Sequence, residues 1–297
     1  SKYRYRENGL GFLRNLMGFQ AESAGVKTMD VKYDFTRYGK SSFGILKVGE
    51  NQWMKKLYDG QLSFSCAQAY IDQGIQTNNQ EQGDPDEGIF AQLRIGNLLI
   101  ARMRELLGDD LEEYQRGNFI MLRRKSACRK PIFCVYTIRA FDFEDQLRHA
   151  GLNRVKIPID QKIYDSFLTK LPMNAFSSSE REKRKLTSVL FNPRQFIPAV
   201  EHTAKCCGVT LISDGVKYDI KDDDEFFIEP SDNYYELYHK REKYAYQHEV
   251  RFLLPRKTLG RKRSRFNMII GPVEGRYMFE SATHIQTHMA VSDKEIS

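Results

Sequence analysis

The stretch Tyr244-Ala-Tyr-Gln-His-Glu-Val-Arg-Phe-Leu-Leu-Pro255 sets a carboxamide, a carboxylate and a guanidinium at alternate positions: Gln247, Glu249 and Arg251. On an extended chain Tyr244, Tyr246, His248, Val250, Phe252 and Leu254 share one face, nearly all apolar, and the three polar groups share the other, about 7 Å apart. Such a row could hold a sugar hydroxyl or stabilise a cation developing on a sugar carbon. A solvent-facing strand whose Glu249 and Arg251 pair locally or across the sheet fits the same pattern. His248 falls on the apolar side, which predicts a packed core histidine.

A second group is acidic. Gly83-Asp84-Pro85-Asp86-Glu87-Gly88 could offer Asp84, Asp86 and Glu87 to Mg²⁺, with Glu249 completing the site of a metal-dependent nuclease. Asp is equally at home in tight turns and at helix starts, and the spacing lacks the calcium-loop pattern, so the expectation is no metal. His284 and His288 would share a helical face but lack the His-Glu-x-x-His order of a zinc protease. The absence of G-x-S-x-G, of a Walker loop and of G-x-G-x-x-G disfavours serine hydrolases, NTPases and dinucleotide-binding folds.

These groups need a scaffold, and 297 residues with 41% hydrophobic content are enough to bury a core. An aromatic share of 12% argues against a disordered chain. No run of about 18 apolar residues suggests a membrane helix, and Ser1 to Arg6 lack the apolar core of a secretory signal. Cys66, Cys128, Cys134, Cys206 and Cys207 show no CxxC pair, which predicts reduced thiols and a cytoplasmic setting. The net charge of +7 is clustered at Arg116 to Lys130, Arg181 to Lys185 and Arg256 to Arg265, against an acidic run from Asp219 to Glu225. Clustered positive charge favours polyanions, so Arg123, Arg124, Lys125, Arg256, Lys257, Arg261, Lys262 and Arg263 are candidate nucleic-acid contacts; a solvated face is the plain alternative.

Along the chain a helix is expected around Gly11 to Phe19 and a strand over Ser42 to Val48. Trp53, Met54, Leu57 and Tyr58 have the spacing of a helix with one apolar side, ended by Asp59-Gly60. Leu62, Phe64 and Cys66 then alternate with Ser63 and Ser65, a half-buried strand. Further expectations are a helix from Ile89 to Leu107, strands over Phe119 to Arg123 and Pro131 to Ile138, and a helix opened by Ser177-Ser178-Ser179-Glu180 toward Leu190. Asn192-Pro193 starts another helix. Val209 to Ile212 and Gly215 to Ile220 suggest a hairpin around Asp214-Gly215, and the tail from Phe266 adds one or two strands. The fold class expected is α/β (α+β), with a mixed, largely antiparallel sheet and flanking helices. An aromatic and basic segment, residues 1–40, precedes a single α/β domain over 41–297, with room for helical insertions around 89–110 and 160–208.

Gln247-x-Glu249 followed by Leu253-Leu254-Pro255 resembles the glutamate motif of the ADP-ribosyltransferase superfamily. The resemblance implies that NAD is the substrate, that Glu249 contacts its nicotinamide ribose and stabilises an oxocarbenium-like transition state, and that Gln247 positions the nucleophile. Ser63 and Ser65, in Gly60-Gln-Leu-Ser-Phe-Ser65, would match that family's Ser-Thr-Ser segment. Here Phe64 stands in the middle, and the gap to Glu249 is longer than usual. Arg4, Arg6 and Arg37 are candidates for its first-strand basic residue. Arg251 and Tyr70 would join the cofactor-binding set, with Tyr70 or Tyr246 stacking on nicotinamide. Leu57 to Ser65, Gly83 to Gly88 and Glu242 to Phe252 together resemble segments shared by bacterial and phage proteins, which implies that they belong to one site and that the setting is bacterial or phage conflict. The leading expectation is therefore a transferase modifying a nucleic acid or protein acceptor. A non-catalytic nucleic-acid-binding protein and a metal nuclease are the alternatives.

Overall fold

The computed structural model describes residues 17–21, 29–31, 42–77, 84–139, 154–158, 162–163, 177–179, 185–260, 265–280 and 284–289. The chain begins with β1 (Met17–Ala21), β2 (Met29–Val31) and β3 (Ser42–Glu50), then α1 (Asn51–Tyr58), β4 (Gln61–Phe64) and α2 (Ala67–Thr77). Next come β5 (Ile89–Arg94), α3 (Leu98–Leu107), β6 (Leu111–Arg116), β7 (Phe119–Arg124), β8 (Ile132–Arg139), β9 (Arg154–Pro158), β10 (Leu186–Phe191) and α4 (Pro193–Cys206). The remainder holds β11 (Ile212–Gly215), β12 (Lys217–Ile220), β13 (Phe226–Phe227), β14 (His239–Arg241) and β15 (Glu249–Leu253), followed by β16 (Phe266–Ile269), β17 (Arg276–Glu280) and β18 (His284–Met289).

A six-stranded sheet, ordered β11-β15-β8-β3-β10-β17, carries the architecture, and all its pairings are antiparallel. Its two faces differ in chemistry. Ile45, Phe133, Val135, Val189, Phe191, Val250 and Phe252 make one face apolar, against Phe196, Ile197 and Val200 of α4 and Met54 and Leu57 of α1. The other face carries Cys134, Tyr136, Glu249 and Arg251, with Ile132 and Leu253 packed under Ala67 and Ile71 of α2. A second antiparallel sheet, β13-β5-β7-β6, packs its Phe90, Leu93 and Leu122 against Ile100 and Met103 of α3. The fold is mixed α/β with antiparallel sheets, as the pattern predicts; β12 and β14 form a parallel pair.

Local chemistry explains where the chain turns. The Asn192 side chain accepts from the Arg194 amide at 3.0 Å and Pro193 fills the first turn, so α4 starts where a capping residue and a ready-set φ coincide. Asp59-Gly60 ends α1 because Gly60 has φ +89 and lies against Gly271, where a Cβ would meet the carbonyl oxygen at 1.9 Å.

Several elements differ from expectation. Residues 89–107 divide into β5 and α3, because Gly96 at φ +90 breaks the chain before the Asn97 cap. Ser178 and Ser179 are helical, as the capping pattern predicts, and residues 180–184 lie outside the described residues; the end toward Leu190 is instead β10, a central strand, since Leu186–Phe191 is buried in the sheet. Asp214-Gly215 makes no hairpin: β11 pairs with β15 and β12 with β14. Residues 17–21 are a strand, and the start of the helix expected at Gly11 lies outside the described residues. His284 and His288 sit on β18, not on a helix, and the tail from Phe266 supplies three strands. Trp53 is 40% exposed, because the buried stripe of α1 runs through Asn51, Met54 and Leu57, about 100° from it.

Candidate functional site

The segment bearing Gln247, Glu249 and Arg251 is shorter as a strand than its alternation suggests. Residues Glu242–Gln247 form a 3-10 helix, and His248 takes a left-handed conformation at φ 42 before β15 begins. Gln247 therefore leaves the strand, while Glu249 and Arg251 keep a common face. That face is interior: Glu249 is 5% exposed and Arg251 1%. His248 is half-buried outside the apolar cluster, and its carbonyl accepts from the Thr137 amide and hydroxyl.

Buried carboxylates require partners, and here they find them across long stretches of sequence. The Arg251 Nε donates to Glu249 Oε1 at 2.6 Å, and its two terminal nitrogens donate to the two oxygens of Glu87, one of them at 3.0 Å. Lys240 Nζ donates to Glu249 Oε2 at 3.1 Å and to Gln247 Oε1 at 2.8 Å, and stands 3.9 Å from Glu87 Oε2. The acidic turn supplies the other half. Asp84 Oδ1 accepts from the Asp86 amide at 2.9 Å, and Asp86 accepts from Tyr114 Oη at 2.7 Å and Arg241 Nε at 2.6 Å, with Arg116 also paired to it. Gly88, at φ +73, lets the turn pass into β5. Arg241 reaches on to Asp222, at a groove of about 540 Å³ lined by Lys221 to Asp224 and Arg241 to Lys243.

Around Glu249 stand four half-buried tyrosines. Tyr136 is its cross-strand neighbour, the Tyr218 hydroxyl accepts from its amide at 2.9 Å, the Tyr246 hydroxyl accepts from Gln247 Nε2 at 3.5 Å, and Tyr70 on α2 meets Cys134.

The electrostatics divide the acids. Burial alone would push the Glu249 carboxyl up, but the Arg251 and Lys240 charges, with hydrogen bonds from Arg251 and Cys134, outweigh it and hold the group well below the usual carboxylate range. Asp84 goes the other way: burial and the neighbouring Glu87 charge push it up to about 6, against the pull of Lys240. Burial works against the Lys240 charge too, yet Glu249 and Glu87 raise its pKa above the ordinary value. Burial and the Glu249 charge push the Cys134 thiol up to about 12 and raise Tyr136 and Tyr218, so all three keep their protons.

Other expected site residues lie elsewhere. Ser65 bridges Ile132 on β8, on the same face as Glu249 but four positions from Tyr136, roughly 13 Å along the strand. Ser63 faces Asn267 on β16. What the serine segment brings to the site is α2, and with it Tyr70. Arg123 is buried, pairing Glu112 at 2.8 Å and donating to the carbonyls of Pro85 and Glu87, so it clamps the acidic turn instead of facing phosphate. Arg124 is buried against Glu236. Both corrections share one cause: β7 lies inside its sheet, and its last residues turn to carboxylates of neighbouring elements, Glu112 and Glu236. Lys125, Arg256 and Lys257 are exposed; Arg261, Lys262 and Arg263, like Arg4, Arg6 and Arg37, lie outside the described residues. Asp84, Asp86, Glu87 and Glu249 do converge, but on cations, and among the described residues no group of three or more His, Cys, Asp or Glu is set to hold a metal ion.

Nothing in the sequence singles out Lys240, Tyr136 or Tyr218. A lysine beside His239 and Arg241 reads as one more basic residue; only the pairing of β12 with β14 turns it inward. Comparison with family models, curated proteins and solved structures returns no match for this chain. No helix among the described residues is long and apolar enough to cross a membrane.

Proposed function

We propose that this chain is an NAD-consuming enzyme of the ADP-ribosyltransferase type, acting at the Glu249 cluster on a macromolecular acceptor. The observation that carries the reading is a buried carboxylate held anionic among four half-buried tyrosines. Glu249 faces the Arg251 and Lys240 charges, with Lys47 also within its field. The carboxylate they hold anionic is the charge suited to steady a cation forming on a ribose carbon. A carboxylate has about four acceptor positions. Arg251, Lys240 and Cys134 occupy three on Glu249, leaving room for a ribose hydroxyl.

In this reading the nicotinamide–ribose bond breaks with its electron pair leaving on the nicotinamide nitrogen, and Glu249 steadies the ribose cation. The acceptor then attacks that carbon while Gln247 orients it, and Asp84, with a pKa near 6, takes the proton released. Tyr70, Tyr136, Tyr218 and Tyr246 present ring faces and hydroxyls suited to nicotinamide and ribose. A cytoplasmic setting, where NAD is available and thiols stay reduced, fits five free cysteines. A bacterial or phage conflict role belongs to the same proposal.

The test is to incubate the purified chain with NAD and mixed RNA, DNA and protein, measuring released nicotinamide and looking for added ADP-ribose by mass spectrometry. Glu249→Gln should lower turnover at least on the order of a hundredfold. Gln247→Ala, which leaves the Arg251–Glu249 pair intact, should lose acceptor modification more than nicotinamide release. A folded chain that releases no nicotinamide with any acceptor sinks the proposal.

A further inference from the structure

The apolar face of the central sheet is covered in part by α1, and the outer side of α1 carries an arrangement that the Glu249 cluster does not use. Trp53, the single tryptophan of the chain, is 40% exposed. Two cations lie over its ring: Lys56 Nζ at 4.7 Å from the centroid and the Arg265 guanidinium at 4.8 Å. Tyr58, at the end of the same helix, carries the Arg276 guanidinium at 4.5 Å, but it is turned about 140° from Trp53 and packs against the core. The exposed patch is thus one ring flanked by two cations, on the side of the sheet opposite Glu249.

One exposed tryptophan is ordinary; one flanked by two exposed cations combines an aromatic face with positive charge. The guanidinium and ammonium groups already show what the ring attracts. Cations that track phosphates, set beside an aromatic face on which an unstacked base can lie, are the chemistry of single-strand recognition. A duplex offers no free base face to the ring, and an acidic polypeptide supplies charge but no planar partner. We infer that the Trp53–Lys56–Arg265 surface docks single-stranded nucleic acid, with one base stacked on Trp53 and the neighbouring phosphates on the cations.

Because Trp53 is the chain's only tryptophan, its own fluorescence reports the contact. The full chain is titrated with an oligouridylate and an oligothymidylate of about 12 nucleotides, within the span that small binding surfaces cover. The expected result is saturable quenching, with affinity that falls as salt is raised. Arg265→Ala should weaken binding several-fold with the fluorophore retained. Trp53→Ala, followed by anisotropy of an end-labelled strand, should weaken it on the order of tenfold, and Trp53→Phe should restore most of the loss. Both positions are at the surface, and unchanged circular dichroism confirms folding. The inference is overturned if neither strand quenches, if blunt duplex or polyglutamate quenches equally well, or if Trp53→Ala binds as tightly as the parent.

Discussion

Asp84 and Glu249 sit in one cluster yet titrate in opposite directions, and the pH dependence of stability should separate them. For Asp84 the folded state holds its proton more tightly than the unfolded chain, because its pKa rises from 3.8 to about 6. Keeping that carboxyl ionised in the fold costs roughly 3 kcal/mol at neutral pH, and the cost is relieved as pH falls through 6 toward 4. For Glu249 the sign reverses. Its pKa is lowered, so its contribution is complete above the ordinary glutamate pKa and is lost as pH falls below it. Stability measured by urea unfolding should therefore rise from pH 7.5 to about pH 5 before acid destabilises the chain. Asp84→Asn preserves the acceptor for the Asp86 amide but not the charge. It should raise stability at pH 7.5 and flatten the slope between pH 7 and 5. An Asp84→Asn chain less stable than the parent at pH 7.5 would show that the charge is needed by Lys240 more than it is penalised by burial.

At the level of elements, what could be read from the sequence was what local rules govern. The alternation of Leu62, Phe64 and Cys66 with Ser63 and Ser65 describes β4 as found, and Asn192-Pro193 opens α4 as expected. Tyr244 to Leu254 alternates as regularly, yet its first four residues belong to a 3-10 helix. Alternation reports which residues are buried, and Tyr244, Gln247 and Glu249 are buried by different neighbours, so the pattern was blind to the break at His248. Likewise Glu249 and Arg251 matched a solvent-facing row, because nothing in nearby residues announces Lys240 or Glu87 as partners. Gly60 shows the reverse case, a single residue fixing an approach between distant elements. Its left-handed φ is strained for any side chain, and a Cβ would strike the backbone of Gly271 rather than a movable side chain. Gly60→Ala should cost about 3 kcal/mol, read as a lower urea midpoint at unchanged slope, by forcing β4 and the chain after β16 apart. A loss under about 1 kcal/mol would mean that this approach is not held in solution.

For the whole molecule, the central sheet poses a question of economy: one face is packed with aromatic and aliphatic groups, while the other buries Glu87, Lys240, Glu249 and Arg251. Ion pairs of this kind rarely repay their desolvation; apolar groups of similar volume often give equal or greater stability, whereas removing one partner typically costs 3–5 kcal/mol. The four residues come from the acidic turn, β14 and β15, and Glu87 and Arg251 are 164 positions apart, so the network ties sequence-distant elements by charge where apolar contact would have served. If the cluster exists for chemistry, stability and activity must come apart. Arg251→Leu alone should destabilise the fold by about 4 kcal/mol, since it leaves two buried anions, Glu87 and Glu249, to share Lys240. Replacing all four together with Leu and Met should return the unfolding free energy to within about 2 kcal/mol of the parent, or above it, while nicotinamide release disappears. A fourfold variant that fails to fold would instead make the network a device for specifying this packing, with its charges retained for the fold and not for a reaction.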